Sequence, residues 1–188
     1  IDFALSLYPN HIDFPQLEAD CIRPPKATAT FSTQDIRMTK ECAFACQTFY
    51  TLGRAVTWFL PVLAPLKMSP SRFFQDFAEW QNHNNCSLHA NWNPTSVHHS
   101  EIEKMQLAFL AFKYEEKNKP QLFDLVSNIV LARCYGEGEE SRVELHYNPD
   151  ELLSYGAMDL QSFFENSFIE NSRVRVFMGA DGAEYRYC

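Results

Sequence analysis

Glycine is scarce in this chain of 188 residues, which contains only six. Two close pairs, Gly136/Gly138 and Gly179/Gly182, fall in stretches that are predicted to be turns between strands. A glycine-rich loop that holds a nucleotide phosphate precedes a helix instead. A phosphate-binding loop of that kind is therefore not expected.

The chain also lacks an apolar run long enough to cross a bilayer. Its longest apolar stretch, residues 43–66, is interrupted by polar residues, an arginine, a glycine and two prolines, whereas a span needs about 20 nearly uncharged residues. We expect a buried helix there and no membrane span. No basic-then-apolar signal segment opens the chain, which begins at Ile1. Removal of a leader and excision from a longer chain are both consistent with this start.

Positive charge is in deficit. The chain has 16 lysines and arginines against 24 aspartates and glutamates, a formal net charge of −8. Nucleic acids and anionic membranes attract proteins through basic patches, so neither is an expected partner. Arg173, Arg175 and Arg186 are the local exception, because they can share one face of the last strand pair. A solvated strand face explains these three arginines better than a binding patch does.

Aromatic residues, by contrast, are abundant, with 16 phenylalanines. A chain of this length falls within the range of single domains, so residues 1–188 are predicted to form one globular domain around one core. The predicted fold class is α+β. An antiparallel sheet of about four to six strands packs against an N-terminal and central helical layer, and the chain ends in a β-hairpin, helices and a second β-hairpin.

Two short strands and a long helix are predicted for the first third of the chain. Residues 1–8 alternate between apolar and polar side chains, and residues 27–31 (ATATF) have strand-like composition. Ser32 and Asp35 have the spacing of a capping box, and an apolar face with helical spacing follows as far as Leu60. We expect that helix to end or kink near Pro61.

Two further helices are predicted around a polar loop. Ser69 followed by proline is a typical helix start. Residues 81–96 are rich in Asn and His and have no periodicity, which indicates a long loop. Ser100 and Glu103 have the spacing of another capping box, and the helix that they open should reach about Glu116.

The C-terminal third is predicted to contain two hairpins. Residues 128–135 (NIVLARCY) and 143–147 flank a glycine-containing turn and are predicted to pair. Asn148 and the proline after it predict a short helix. A second helix follows around 160–168, and residues 173–188 predict a closing hairpin.

Cysteine bears on where the protein is located. The six cysteines are at positions 21, 42, 46, 86, 134 and 188. An even number is typical of a disulfide framework in a secreted chain, although Cys42 and Cys46, four apart in an apolar helical run, also fit buried free thiols. We expect secretion with at least one disulfide; the alternative is a cytoplasmic protein with reduced cysteines.

Histidines and a cysteine in the polar loop form the sharpest candidate for chemistry. His83, Cys86 and His89 are spaced three apart, and His98 follows nine residues later. Imidazole and thiolate are zinc ligands, but the paired spacings of specific zinc motifs are missing. We therefore expect no cofactor, and the alternative is a bound zinc ion. Cys86 or Cys134, with His89 or His146 as base, would be a nucleophile pair, yet none of these residues belongs to a recognisable catalytic motif.

Three residues are predicted to contact a partner. Trp92 lies in the polar loop, where a core role is hard to explain, and His89 is close to it in sequence. His146 is predicted on the hairpin face opposite Val143 and Leu145, where it faces either solvent or a pocket.

These observations favour a non-enzymatic protein that is secreted, effector-like and acts by docking to a partner protein, and no catalytic residue is assigned. A rival is a metal-dependent or Cys/His-dependent hydrolase that uses residues 83–99. A third alternative is an intracellular domain of a longer regulator that senses an apolar small ligand in a Phe-lined pocket.

Overall fold

The computed structural model describes residues 1–15, 25–133, 135–136, 138–154, 159–179 and 182–188. The helices in these ranges are α1 (Asp2–Leu5), α2 (Thr33–Cys46), α3 (Phe59–Leu63), α4 (Pro70–His83), α5 (His99–Glu116), α6 (Phe123–Arg133), α7 (Pro149–Ser154) and α8 (Leu160–Asn166). The strands are β1 (Glu140–Leu145), β2 (Ser172–Gly179) and β3 (Gly182–Tyr187). A π-helix, Gln47–Leu52, continues α2, and 3-10 turns occupy Ala64–Leu66, Leu88–Ala90, Pro94–Ser96 and Pro120–Leu122.

Side-chain caps begin several helices where the sequence predicts them. The Ser32 hydroxyl accepts from the Asp35 backbone N–H at 3.2 Å, and Asp35 accepts in return from the Ser32 N–H at 2.7 Å, which confirms the capping box. Ser69 accepts from the Arg72 N–H at 3.3 Å at the start of α4. Asn148 accepts from the N–H two residues later at 2.9 Å, at the start of α7. Each cap satisfies a backbone donor that the helix itself cannot.

The start of α5 differs from the prediction. The helix begins at His99 rather than after Ser100, and His98 is its N-cap, with Nδ1 accepting from the Ser100 N–H at 3.3 Å. The segment before it is also more ordered than the predicted loop, because α4 extends to His83 and two 3-10 turns follow. An imidazole nitrogen can replace the usual hydroxyl or carboxylate as a cap acceptor.

The prediction of one helix from Ser32 to Leu60 is wrong. The α2 helix passes into the π-helix at Gln47, and the chain leaves helical geometry at Gly53 before α3 begins. The Gln106 side chain of α5 donates to the carbonyls of Phe49 and Gly53 at 2.8 and 2.9 Å. A Cβ at Gly53 would lie 2.1 Å from that amide nitrogen. The long-range contact therefore ends the helix well before the proline.

Both strands that were predicted near the N-terminus are wrong. Residues 2–5 form α1, in which Leu5 is fully buried while Phe3 and Leu7 are 78% and 66% exposed. The alternating apolar residues therefore do not share one buried face. Residues 27–31 contain bends, and Thr28 donates to the Phe31 carbonyl at 2.8 Å instead of pairing with another strand.

Residues 128–135 do not form the first strand of a hairpin, so that prediction is also wrong. Residues 128–133 belong to α6, and Cys134 lies outside the described residues. Leu122, Leu125, Val126, Ile129 and Val130 are all fully buried, and their spacing of three and four residues places them on one helical face. Burial among other helices thus overrides the strand preference of β-branched residues.

The sheet has three strands in the described residues, which corrects the prediction of four to six within a fold that is still α+β. The strand order is β1-β2-β3, and both pairings are antiparallel. The closing hairpin is confirmed as β2 and β3. The predicted stop of α7 at Gly156 lies outside the described residues.

A cluster of phenylalanines lies within the core. Phe49 in the π-helix is at its centre, with edge-on ring contacts to residues of α3, α4 and α5, among them Phe73 at 5.0 Å and Phe77 at 5.1 Å. The sheet buries one face against the helices through Leu145, Val174 and Val176. Its opposite face is open to solvent. Within the described ranges, none of the helices combines the length and apolar character that a membrane crossing needs.

Candidate functional site

Three arginines lie side by side across the open face of the sheet. Arg142 of β1 pairs with Arg175 of β2, and Arg175 pairs with Arg186 of β3. Directly opposed residues of an antiparallel sheet project to the same face, about 4.5–5.5 Å apart at Cβ. We call Arg142, Arg175 and Arg186 the arginine row. Arg173, two residues before Arg175, projects from the same face.

The carboxylates around the arginine row neutralise only part of its charge. Arg175 Nη1 is 3.2 Å from Glu140 Oε1, and Arg173 Nε is 2.6 Å from Glu144 Oε1. Neither end of the row has a carboxylate partner among the residues that the structure describes. Arg142 makes no ion pair there, and the Arg186 guanidinium lies over the Phe177 ring, 5.0 Å from its centroid.

The acidic residue nearest to Arg186 in the chain is directed elsewhere. Glu184 pairs in register with Phe177, one row away from the arginines. Its carboxylate is folded over Gly179, where a Cβ would lie only 1.8 Å from Oε1. The absence of a side chain at Gly179 therefore lets Glu184 lie against the backbone instead of against Arg186.

The arginine row borders a shallow depression in the sheet face. A volume of about 380 Å³ is lined by the three arginines together with Tyr187 and Cys188. Arg142 and Arg186 are exposed, and Arg175 is half-buried. The depression is therefore an open surface bordered by guanidinium groups. Guanidinium groups bind carboxylates in a bidentate geometry.

Sequence reasoning identified three of these four arginines. The expectation that Arg173, Arg175 and Arg186 share one face is confirmed by the strand register. Arg142 was missed because β1 was predicted to pair with residues 128–135 rather than with β2. The sequence signal that could have found it is the alternation of charged residues, Glu140, Arg142 and Glu144, with less polar ones, which is typical of a strand with one exposed face.

The predicted zinc ligands are each engaged separately. His83 Nδ1 hydrogen-bonds the Glu79 carbonyl at 2.7 Å, and the Cys86 thiol, which is buried, donates to the Gln81 carbonyl at 3.6 Å. His98 caps α5. In the part of the chain that the structure describes, no group of three or more His, Cys, Asp or Glu residues could hold a metal ion. Zinc binding stays a prediction without a described site to carry it.

The predicted contact residues lie on two separate parts of the surface. His89 hydrogen-bonds Glu41 of α2 through Nε2, and Trp92 packs edge-on against Phe44 of the same helix, with ring centroids 6.3 Å apart. Trp92 is half-buried there. His146 is at the end of β1, where Nδ1 lies 2.8 Å from Asp124 Oδ1. A contact role for the three residues stays a prediction.

The four described cysteines, Cys42, Cys46, Cys86 and Cys188, are free thiols. Burial raises the pKa of the Cys46 thiol to about 12 and raises the pKa of Cys86 as well. A thiol must ionise to act as a nucleophile or a metal ligand, so this burial disfavours both roles. Cys21 and Cys134 lie outside the described residues, and the predicted disulfide stays a prediction.

Comparison with known proteins adds nothing to these observations: no family model, no curated protein and no solved structure matches the chain. Its function is therefore argued from its own residues.

Proposed function

We propose that the chain is a non-enzymatic protein-binding module whose open sheet face docks an acidic segment of a partner protein. The observation that carries the proposal is the arginine row, in which Arg142 and Arg186 lack carboxylate partners among the described residues. The partner segment supplies aspartate or glutamate side chains to these two guanidinium groups. In this proposal the protein is secreted and effector-like, as the sequence predicts.

The register of the sheet supports this proposal. Like charges directly opposite each other on neighbouring strands destabilise a sheet, and here three arginines face one another in one row. A bound carboxylate between neighbouring guanidinium groups would remove that repulsion. It would also form charge-assisted hydrogen bonds, which are about twice as strong as neutral ones.

A protein partner is favoured over a nucleic acid. Binding to a phosphate backbone depends on many basic contacts, whereas the arginine row supplies three guanidinium groups, of which Arg175 already pairs with Glu140. A row of three arginines is long enough for two or three carboxylates of an extended segment. Strand residues on one face repeat at intervals of two residues, which suits a partner segment with alternating acidic residues.

The test is direct binding of a fluorescein-labelled deca-glutamate peptide, measured by fluorescence anisotropy at low and at physiological salt. We expect binding that weakens with salt. The double variant R142Q/R186Q should weaken the affinity at least about tenfold, because each lost charge-assisted contact contributes about 1.5–3 kcal/mol. Arg175 is left in place because it already pairs with Glu140.

The matched control is the double variant R37Q/K117Q, which removes the same charge from helix α2 and from the end of α5. It should change the affinity by less than about twofold. Equal losses in both double variants would indicate attraction by overall charge, and would overturn the proposal. Failure of the unaltered protein to bind the peptide would overturn it too.

A second comparison tests the class of partner. A phosphate-rich probe, single-stranded DNA of ten nucleotides, should bind more weakly than the peptide, and tighter binding of the DNA would replace the protein partner with a nucleic acid.

A further inference from the structure

A second open cleft lies between helices α4 and α5. Its volume is about 460 Å³. Helix α4 lines it with residues that share one helical face, and α5 lines it with residues of its last turns; these are Arg72, Asp76, Glu79, Trp80, His83, Phe112, Lys113 and Glu116. The cleft therefore combines two aromatic rings with a charged rim. None of these residues belongs to the arginine row.

The two rings are held firmly but present free surface. Trp80 stacks on Phe77, with centroids 5.9 Å apart and an interplanar angle of 16°. Phe112 stacks on Phe109 at 6.3 Å and 30°. Trp80 also contacts Phe109 at 5.9 Å, so both rings pack on the same buried phenylalanine. Phe112 is nevertheless 53% exposed and lines the cleft.

The charges on the rim are already organised around a buried lysine. Lys113, whose side chain is only 2% exposed, donates to Asp76 at 2.6 Å and to Glu116. Burial alone would lower the pKa of Lys113, but the hydrogen bonds to Asp76 and Glu116 outweigh burial and raise that pKa above its ordinary value. Asp76 also forms an ion pair with Arg72, whose Nε lies 2.8 Å from Asp76 Oδ1. Both cations of the cleft, Arg72 and Lys113, are therefore already paired with carboxylates of the cleft.

Glu79 differs from the other acids of the cleft. Its carboxylate has no basic partner among the residues that the structure describes, and it is exposed. It is adjacent in sequence to Trp80. The cleft thus holds three carboxylates and two cations, with its unmatched negative charge beside the aromatic rings.

We infer that the cleft between α4 and α5 receives a lysine or arginine side chain of a partner protein, with its cationic group against Trp80 and Phe112 and paired with Glu79. A cation within about 6 Å of an aromatic centroid is attracted to the ring face, most strongly for tryptophan. Within the chain itself, the Lys113 ammonium already lies at such a distance, 5.9 Å from the Phe112 centroid. The charge of the cleft favours a cationic occupant over an apolar one, because an apolar group would remove water from Glu79 without replacing it.

The probe for this site is a penta-arginine peptide, titrated into the ¹⁵N-labelled protein while the indole N–H signal of Trp80 is followed by NMR. Of the three tryptophans, Trp80 should shift, whereas Trp58, which is fully buried, should not. The variants E79Q and F112L should each weaken the affinity at least about fivefold. Leucine at position 112 keeps apolar volume but removes the π face, so this variant separates cation–π attraction from simple packing.

Two controls keep the inference falsifiable. E115Q removes a neighbouring exposed carboxylate that does not line the cleft, and it should change the affinity by less than about twofold. R142Q/R186Q should leave penta-arginine binding unchanged, which makes failure of this site distinguishable from failure of the sheet face. Unchanged affinity in F112L, or equal loss in E115Q and E79Q, would overturn the inference. Free L-argininamide should bind far more weakly than the peptide; equal affinity would replace the partner protein with a small-molecule cation.

Discussion

At the residue scale, one ion pair joins the end of the π-helix region to the start of the sheet. Arg54 donates through both terminal nitrogens to Glu139, with Nη2 2.8 Å from Oε1. Gly136 makes room for this pair, because a Cβ there would lie 2.9 Å from the guanidinium carbon. Its backbone N–H also donates to Glu139 at 3.3 Å. Several donors therefore converge on one carboxylate.

The first prediction concerns the pH dependence of this pair. The Arg54 hydrogen bond lowers the pKa of Glu139 from 4.5 to about 2, with smaller help from Gly136 and against the effect of burial. A carboxyl group whose pKa is lowered on folding stabilises the protein above its unfolded value, and that contribution is lost as the pH falls from about 4.5 through about 2. Glu139 is 44% exposed, so solvent screening limits the contribution to about 1 kcal/mol.

The measurement is urea unfolding of the unaltered protein and of E139Q between pH 7 and pH 2. The difference in unfolding free energy should be present at pH 7 and should vanish toward pH 2. NMR titration of the Glu139 carboxyl carbon checks the pKa directly. E165Q, on the exposed side of α8, is the control and should show no such pH-dependent difference. A Glu139 pKa near 4.5 would contradict the structure.

At the scale of elements, the break between α2 and α3 depends on a residue of another helix. Gln106 is fully buried, and its amide nitrogen donates to the carbonyls of Phe49 and Gly53. These carbonyls belong to a π-helix and its end, where the ordinary helical hydrogen bonds are interrupted. One side chain of α5 therefore satisfies two backbone groups of the segment that forms the centre of the aromatic core.

The second prediction follows from this arrangement. Q106L keeps a side-chain volume close to that of glutamine, but it removes the amide donor to the carbonyls of Phe49 and Gly53. A buried polar group that loses its partner costs about 1–3 kcal/mol, so we expect the free energy of unfolding to fall by about 2–4 kcal/mol. The matched control is Q75L on the exposed face of α4, which should change it by less than about 0.5 kcal/mol. A loss for Q106L no larger than that for Q75L would show that Gln106 does not hold the break.

Elements that rest on local chemistry could be predicted from the sequence, and elements that rest on distant contacts could not. The Ser32 and Ser69 caps and the closing hairpin depend on residues within a few positions of one another. The end of α2 depends on Gln106, more than fifty positions away. The segment 128–133 has the composition of a strand, and only its burial among other helices decides for α6.

The candidate site follows the same division at the scale of the whole molecule. Alternation along β2 and β3 is enough to place Arg173, Arg175 and Arg186 on one face. Arg142 joins them only through the pairing of β1 with β2, which brings together residues more than thirty positions apart. The cleft between α4 and α5 likewise needs two helices to meet, so sequence periodicity alone could not reveal that Trp80 and Phe112 line the same cleft.

The oxidation state of the cysteines is the property of the whole molecule that decides between a secreted and a cytoplasmic protein. Disulfides persist in oxidising compartments and are rare in the cytosol. The structure describes four of the six cysteines, all as free thiols. Three of them, Cys42, Cys46 and Cys86, are buried, while Cys188 is exposed. This difference in exposure distinguishes Cys188 from the three buried thiols by its rate of alkylation.

The third prediction is the pattern of labelling by iodoacetamide, read by peptide mass mapping. In the native protein Cys188 should react at least about tenfold faster than Cys42, Cys46 and Cys86, because only an accessible thiolate attacks the reagent and burial raises the pKa of the other three. After denaturation without a reductant all four should be labelled, and a fully reduced sample is the control. A disulfide that involves any of these four would contradict the structure. The same peptide map includes Cys21 and Cys134, which decide the compartment. If both are protected until a reductant is added, a disulfide and a secreted protein are supported. Six free thiols would instead rule out the predicted disulfide and favour the cytoplasmic alternative.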